Sequence, residues 1–239
     1  PSPFRRIAGA AFHDVHIDSA ELRDPQRAAS SALAAALAAF RPDVVVVDVF
    51  WVPLFFVPLP CPAWLLLRSV PPVWLVGPKE ARFDAGRYER VFAIEPAPGL
   101  ERFDAVDPVV VVDREDVVEG SPFAGQRVIV RAGLPDDAAV LDDAAARLGG
   151  AWTHLDLRDP RAPFPVAPLL ARADAVVAAP GYNAYWEARL LGYAARTTFV
   201  PIRRTHDDAA WRASLPVTPT TTNGAHTLAR LLPERFGGD

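Results

Sequence analysis

Residues 173–202, ADAVVAAPGYNAYWEARLLGYAARTTFVPI, decide how the rest of the chain is read. Positions 175–179 form an unbroken run of small and β-branched apolar residues, the pattern of a parallel strand buried on both faces. Pro180-Gly181 stops that run. The spacing then predicts a helix over about 183–191 and a second strand over 197–200, closing on Pro201. Strand, helix and strand within about thirty residues is the size of one βαβ unit.

The junction inside this unit carries the chemistry. Gly181 permits close backbone approach, and the first N–H groups of the following helix point outward as an anion site. A diphosphate fits there. Glu187 follows Asn183 by four residues, about 5.4 Å further along the same helix face. A carboxylate at that distance can accept hydrogen bonds from ribose hydroxyls while the helix end holds phosphates. A lone helical glutamate is also an ordinary solvated surface residue, and every doubly wound α/β domain has strand-glycine-helix junctions.

Taken as an ordered set, Gly181-Tyr182-Asn183 with Glu187, Leu191-Gly192, Phe199-Val200-Pro201 and Asp207-Asp208 resembles the donor-nucleotide half of GT-B glycosyltransferases. The branch it is most similar to includes the UDP-GlcNAc transferase of peptidoglycan synthesis. The close resemblance covers about forty residues and a looser one most of the chain. It implies an α/β protein of two Rossmann-like domains of the GT-B type. It also implies transfer of a sugar from a nucleoside-diphosphate donor, most readily UDP-linked, to a small-molecule or lipid-linked acceptor. By the resemblance Gly181, Tyr182 and Asn183 lie at the diphosphate, Glu187 at the ribose and Asp207 or Asp208 at the donor sugar. Relatives usually carry a glutamine near Asp208 where this chain has alanines, which leaves the donor sugar open.

Composition agrees with a folded α/β protein. Of 239 residues, 51% are hydrophobic and 23% charged, and the net charge of −4 supplies no basic footprint for nucleic acid. Cys61 is the only cysteine, so no intramolecular disulfide can form and a reducing cytoplasm is the expectation. No run reaches the roughly 18 apolar residues of a membrane span. Peripheral contact with a membrane stays open, because several enzymes of the resembled branch use lipid-linked acceptors.

Along the chain, residues 7–12 read as an opening strand, followed by His13, Asp14, His16 and Asp18. Their alternation fits a strand edge or loop better than a metal site, and no metal or other cofactor is expected, since a helix terminus can supply the electrostatic stabilisation. Asp24-Pro25 opens a helix read over 27–40. A buried strand over 43–48 ends in Asp48, either a cap for the next segment or an acceptor-side residue and candidate base at the ligand edge of the sheet. Further strands are expected at 63–67, 91–94 and 109–112. Arg68 is a weak anion candidate. The best linker is Glu119-Gly120-Ser121-Pro122, dividing the chain into an acceptor-side domain, 1–120, and a nucleotide-sugar domain, 121–239.

The second half restarts with a strand at 127–131, a turn at Ala132-Gly133 and a helix over 136–148 with Asp136 near its cap. By the resemblance Arg131 and Gly133 are secondary phosphate candidates. Strand 152–157, a helix from Ala167, the central unit and a last helix over 223–232 complete the pattern. The glycine-rich loop with a histidine that opens enzymes of this branch has no counterpart here. The chain starts at Pro1 and contains no methionine, so the first strand and loop are expected to be missing. A nucleotide-sugar-binding protein without catalysis, or a UDP-sugar epimerase or hydrolase of the same architecture, are the alternatives.

Overall fold

The computed structural model describes residues 11, 13–15, 18–22, 24–49, 51, 56–70, 83–202, 209–216 and 222–236. Two compact units divide the chain, one holding Gly9–Val106 with Leu228–Asp239, the other Asp107–Thr227 with Pro1–Ala8. The expected opening strand, and Asp207 and Asp208, lie outside the described residues.

In the unit containing residues 9–106, two short helices, α1 (Ser19–Leu22) and α2 (Pro25–Ala28), precede α3 (Ala32–Phe40). The single helix expected over 27–40 is therefore two. Asp24 caps α2 through the N–H groups of Gln26 and Arg27. The chain then turns at Ala29 and Ser30, and the Ser31 hydroxyl restarts the helix by accepting the Ala34 N–H at 3.2 Å. The strands β1 (Val45–Asp48), β2 (Ala63–Leu67), β3 (Arg90–Ala93) and β4 (Asp104–Ala105) form a parallel sheet in the order β1-β2-β3-β4. All five residues of β2 are buried, as an inner parallel strand requires.

The other unit is built on β5 (Arg127–Arg131), α4 (Asp137–Leu148), β6 (Thr153–Asp156), α5 (Ala167–Leu170), β7 (Ala175–Ala178), α6 (Tyr182–Leu190), β8 (Thr197–Phe199) and α7 (Ala209–Ser214). Its parallel sheet runs β6-β5-β7-β8. Strand alternation sorts the core. Ile129 and Val177 pack with Leu141, Ala144 and Ala145 of α4. Val128, Val130, Val176 and Ala178 pack on the opposite face with Ala188 of α6 and Tyr193. Helices on both faces make this a doubly wound α/β layer, so both halves of the chain have the parallel α/β architecture expected of them.

Two further expectations are corrected. Residues 109–112 are not a strand: their backbone groups bond to the side chains of Tyr182 and Asn223 instead of to a neighbouring strand. Those bonds tie residues 109–112 to the unit holding Asp107–Thr227. Asp136 is the N-cap residue of α4, as expected, but its side chain makes no cap hydrogen bond; the Asp137 carboxylate accepts the Leu134 N–H at 2.6 Å. The last helix, α8 (Gly224–Phe236), extends one turn beyond the expected end despite Pro233.

Candidate functional site

Strand order places a topological switch point in the second sheet. From β5 the chain moves to β6 on one side, then crosses to β7 on the other and continues outward to β8. The crevice outside the carboxyl ends of β5 and β7 is where open α/β sheets bind ligands. Arg131 ends β5, and Pro180-Gly181 follows β7.

At that edge α6 begins without a side-chain cap. Gly181 is its N-cap residue at φ −59°, ψ 154°, and its carbonyl accepts the Tyr185 N–H at 2.9 Å. The first-turn N–H groups of a helix have no partner within it, and they carry the positive end of the dipole. The backbone at Gly181 does not demand glycine. Among the described residues, a Cβ built there meets no atom within 4 Å.

Tyr182 is buried, and its hydroxyl accepts the Val109 N–H at 2.9 Å. Asn183 is half-buried at the second helical position. Glu187 is only 8% exposed, and the Val111 N–H faces its carboxylate. Burial pushes the Glu187 carboxyl up to about 7, and the Val111 amide partly offsets this. Burial also raises the Tyr193 phenol, and the nearby Glu187 charge raises it further. Glu187 is thus held on a buried face, not solvated as a surface glutamate.

Arg131 is turned toward α4, as strand parity with Ile129 requires, and its Nη2 donates to Asp142 at 2.7 and 2.6 Å. Among the described residues its buried Nε has no hydrogen-bond partner. Gly133 is half-buried in the turn that follows. Asp48 ends β1 as an exposed carboxylate in the other unit. Arg68 is half-buried and partnered.

Two residues that sequence reasoning passed over stand next to the candidate set. Arg212 of α7 is fully buried, with Nη1 3.5 Å from the Pro180 carbonyl and its guanidinium 5.6 Å from the Tyr182 ring centre. Asn223, 5% exposed, holds the 108–113 segment. Asn223-Gly224 is legible as a helix start, and the Asn223 Oδ1 does accept the Ala225 N–H. Nothing nearby in sequence signals its distant partners. Among the described residues no group of three or more His, Cys, Asp or Glu could hold a metal ion. None of the described helices is long and apolar enough to cross a membrane.

The fold and this edge define a doubly wound α/β protein with an open helix terminus at its switch point. No family model matches the chain, and no curated protein does. Among solved structures it is similar to the Spinosyn Rhamnosyltransferase SpnG, with 16% identity and a TM-score of 0.44, over 77% of this chain and 60% of that one. It is similar also to SpnG complexed with thymidine diphosphate, with 16% identity and a TM-score of 0.44, over 92% of this chain and 76% of that one. A third is the glycosyltransferase SnogD from Streptomyces nogalater, with 15% identity and a TM-score of 0.40, over 79% and 69% of the respective chains.

Proposed function

We propose that the unit Asp107–Thr227 binds a nucleoside-diphosphate sugar, most readily a UDP sugar, and that the protein transfers the sugar to a small-molecule or lipid-linked acceptor. The observation that carries this reading is the uncapped start of α6 at the switch point, where no atom of the described residues lies within 4 Å of a Cβ built on Gly181. The diphosphate accepts from the first N–H groups of α6, beside Gly181, Tyr182 and Asn183. The ribose hydroxyls donate to Glu187. Gly133 lines the adjacent turn, and Asp207 or Asp208 serves the donor sugar.

As the anomeric carbon–oxygen bond breaks, negative charge develops on the departing diphosphate, where the helix dipole stabilises it. The acceptor hydroxyl loses its proton to a base as it attacks. Asp48 is the residue this reading offers as that base on the acceptor side. No metal or other cofactor enters the scheme, because the helix terminus does the electrostatic work. The lone Cys61 fits a cytoplasmic location.

Calorimetric titration with UDP, dTDP, GDP and ADP tests the reading. Selective binding of one nucleotide, weakened in Glu187→Ala, is the expected result. Failure of all four to bind overturns it.

A further inference from the structure

Residues 108–113 run as an extended strap with its backbone groups divided between two edges. On one edge the Val109 N–H donates to the Tyr182 hydroxyl at 2.9 Å, and the Val111 N–H faces the Glu187 carboxylate on the same edge. On the other edge Asn223 meets the strap. Its Oδ1 accepts the Val110 N–H at 3.2 Å, and its Nδ2 donates to the carbonyls of Val110 at 3.0 Å and Val112 at 3.1 Å. The same Nδ2 lies 3.2 Å from Asp113 Oδ1. The alternation is that of a β-strand, where N–H groups of successive residues point to opposite sides. One asparagine side chain therefore does the work of a neighbouring strand.

The ends of the strap are tied as well. The Gly224 N–H donates to the Pro108 carbonyl at 3.0 Å, and His226 Nε2 lies 2.9 Å from Asp113 Oδ1. Between these ties Val110 and Val112 are buried, so their backbone groups need the partners that Asn223 supplies.

We propose that Asn223 is a positioning residue for the nucleotide site: it holds the strap in register so that alternate amides orient Tyr182 and Glu187 on α6. This rests on the donor-nucleotide reading above. Asn223 touches no part of the nucleotide in this scheme. It fixes the amide that stabilises the Glu187 carboxylate, and so sets how well that carboxylate receives the ribose. Glu187 is faced by the Val111 amide from the strap and by Tyr193 from the turn after α6. Asp113, with His226 Nε2 2.9 Å from its Oδ1, lies at the strap's end.

The test is titration of the full chain with UDP and, separately, with inorganic pyrophosphate, each between about pH 5 and about pH 9. Asn223→Ala is expected to weaken UDP binding about tenfold, the scale of losing one or two buried hydrogen bonds. Pyrophosphate binding stays unchanged, because the helix end is untouched. The midpoint of the pH dependence of UDP binding moves upward, since the carboxylate has lost a donor. Asn223→Asp keeps the acceptor for Val110 and Ala225 but not the donor, and is expected to fall between wild type and Asn223→Ala.

Unchanged UDP affinity in both variants overturns the proposal. So does a parallel loss of UDP and pyrophosphate, or an unmoved pH midpoint, either of which marks general loosening. Glu187→Gln separates the two layers of the argument. If it weakens UDP binding while the Asn223 variants do not, only the role of Asn223 falls. If the wild-type protein binds no UDP, or Glu187→Gln leaves its affinity unchanged, the donor-site reading falls and takes this proposal with it.

Discussion

The Val111 amide, 76 residues earlier in the chain, faces the buried Glu187 carboxylate and favours its charged form. A residue chosen for its place on a helix face is thereby tied to an irregular segment that begins the unit. The first consequences concern protons.

Burial holds the Glu187 carboxyl at about 7, above its ordinary 4.5, so the folded state binds this proton more tightly than the unfolded chain does. The stability this provides is full below about pH 4.5 and is lost as pH rises toward about 7. At about 1.4 kcal/mol per pH unit the loss is about 3 kcal/mol. Glu187→Gln should remove that slope, read as urea unfolding of the two proteins across the interval. Equal slopes would contradict the burial argument.

Ribose hydroxyls donate best to an ionised carboxylate. UDP binding by the wild-type protein should strengthen as pH rises through about 7. In Glu187→Ala it should be weaker by about 1–3 kcal/mol and lose this pH dependence. Calorimetry checks both, and thermal unfolding of the same sample shows whether the fold is retained.

Gly181 distinguishes fold from function. Its φ of −59° suits any residue, and a Cβ there meets no atom of the described residues within 4 Å. Gly181→Ala should leave stability unchanged or raise it by about 0.4–1 kcal/mol. The new methyl group nevertheless stands where the diphosphate approaches, so UDP affinity should fall by about tenfold or more. Undiminished affinity would remove the ligand from the start of α6.

Arg131 is occupied by Asp142 at 2.6 Å and is 24% exposed. Arg131→Ala should cost no more than about 1 kcal/mol of stability, since the Asp142 carboxylate is 41% exposed and still lies 3.7 Å from His154 Nδ1. Its effect on pyrophosphate affinity should be smaller than that of Gly181→Ala. The reverse order would make Arg131 a phosphate ligand.

Ile129 lies between β7 and α4 and is 2% exposed. Ile129→Ala should destabilise by about 2–5 kcal/mol and Ile129→Val by about 0.5–1.5 kcal/mol, measured by chemical unfolding.

The parallel strands were legible because burial on both faces leaves unbroken apolar runs such as those at Val128-Ile129-Val130 and Val176-Val177. The start of α6 was legible because Pro180-Gly181 interrupts such a run. The same rule misread residues 109–112. Four valines look like a buried strand, and they are buried or half-buried, but their bonding partners are side chains up to 113 residues away. Strand order, and with it the switch point, is a tertiary fact that periodicity does not encode. The Arg131–Asp142 pair was hidden for a related reason: α4 carries several acids, and only the parity of β5 against the helix selects one. The break between α2 and α3 was masked by alanines on both sides of Ser31.

The strap also determines where the chain can be cut. A fragment starting at residue 121 has lost the amides that face Tyr182 and Glu187, and one stopping before Asn223 has lost the side chain that retains them. A piece that keeps both begins near Asp107 and runs past His226, so that its two ends, remote in sequence, are joined by the Asp113–His226 contact. Such a piece is nearly closed on itself. Linking its termini and opening the chain at an exposed turn elsewhere should yield a permuted protein with the same sheet.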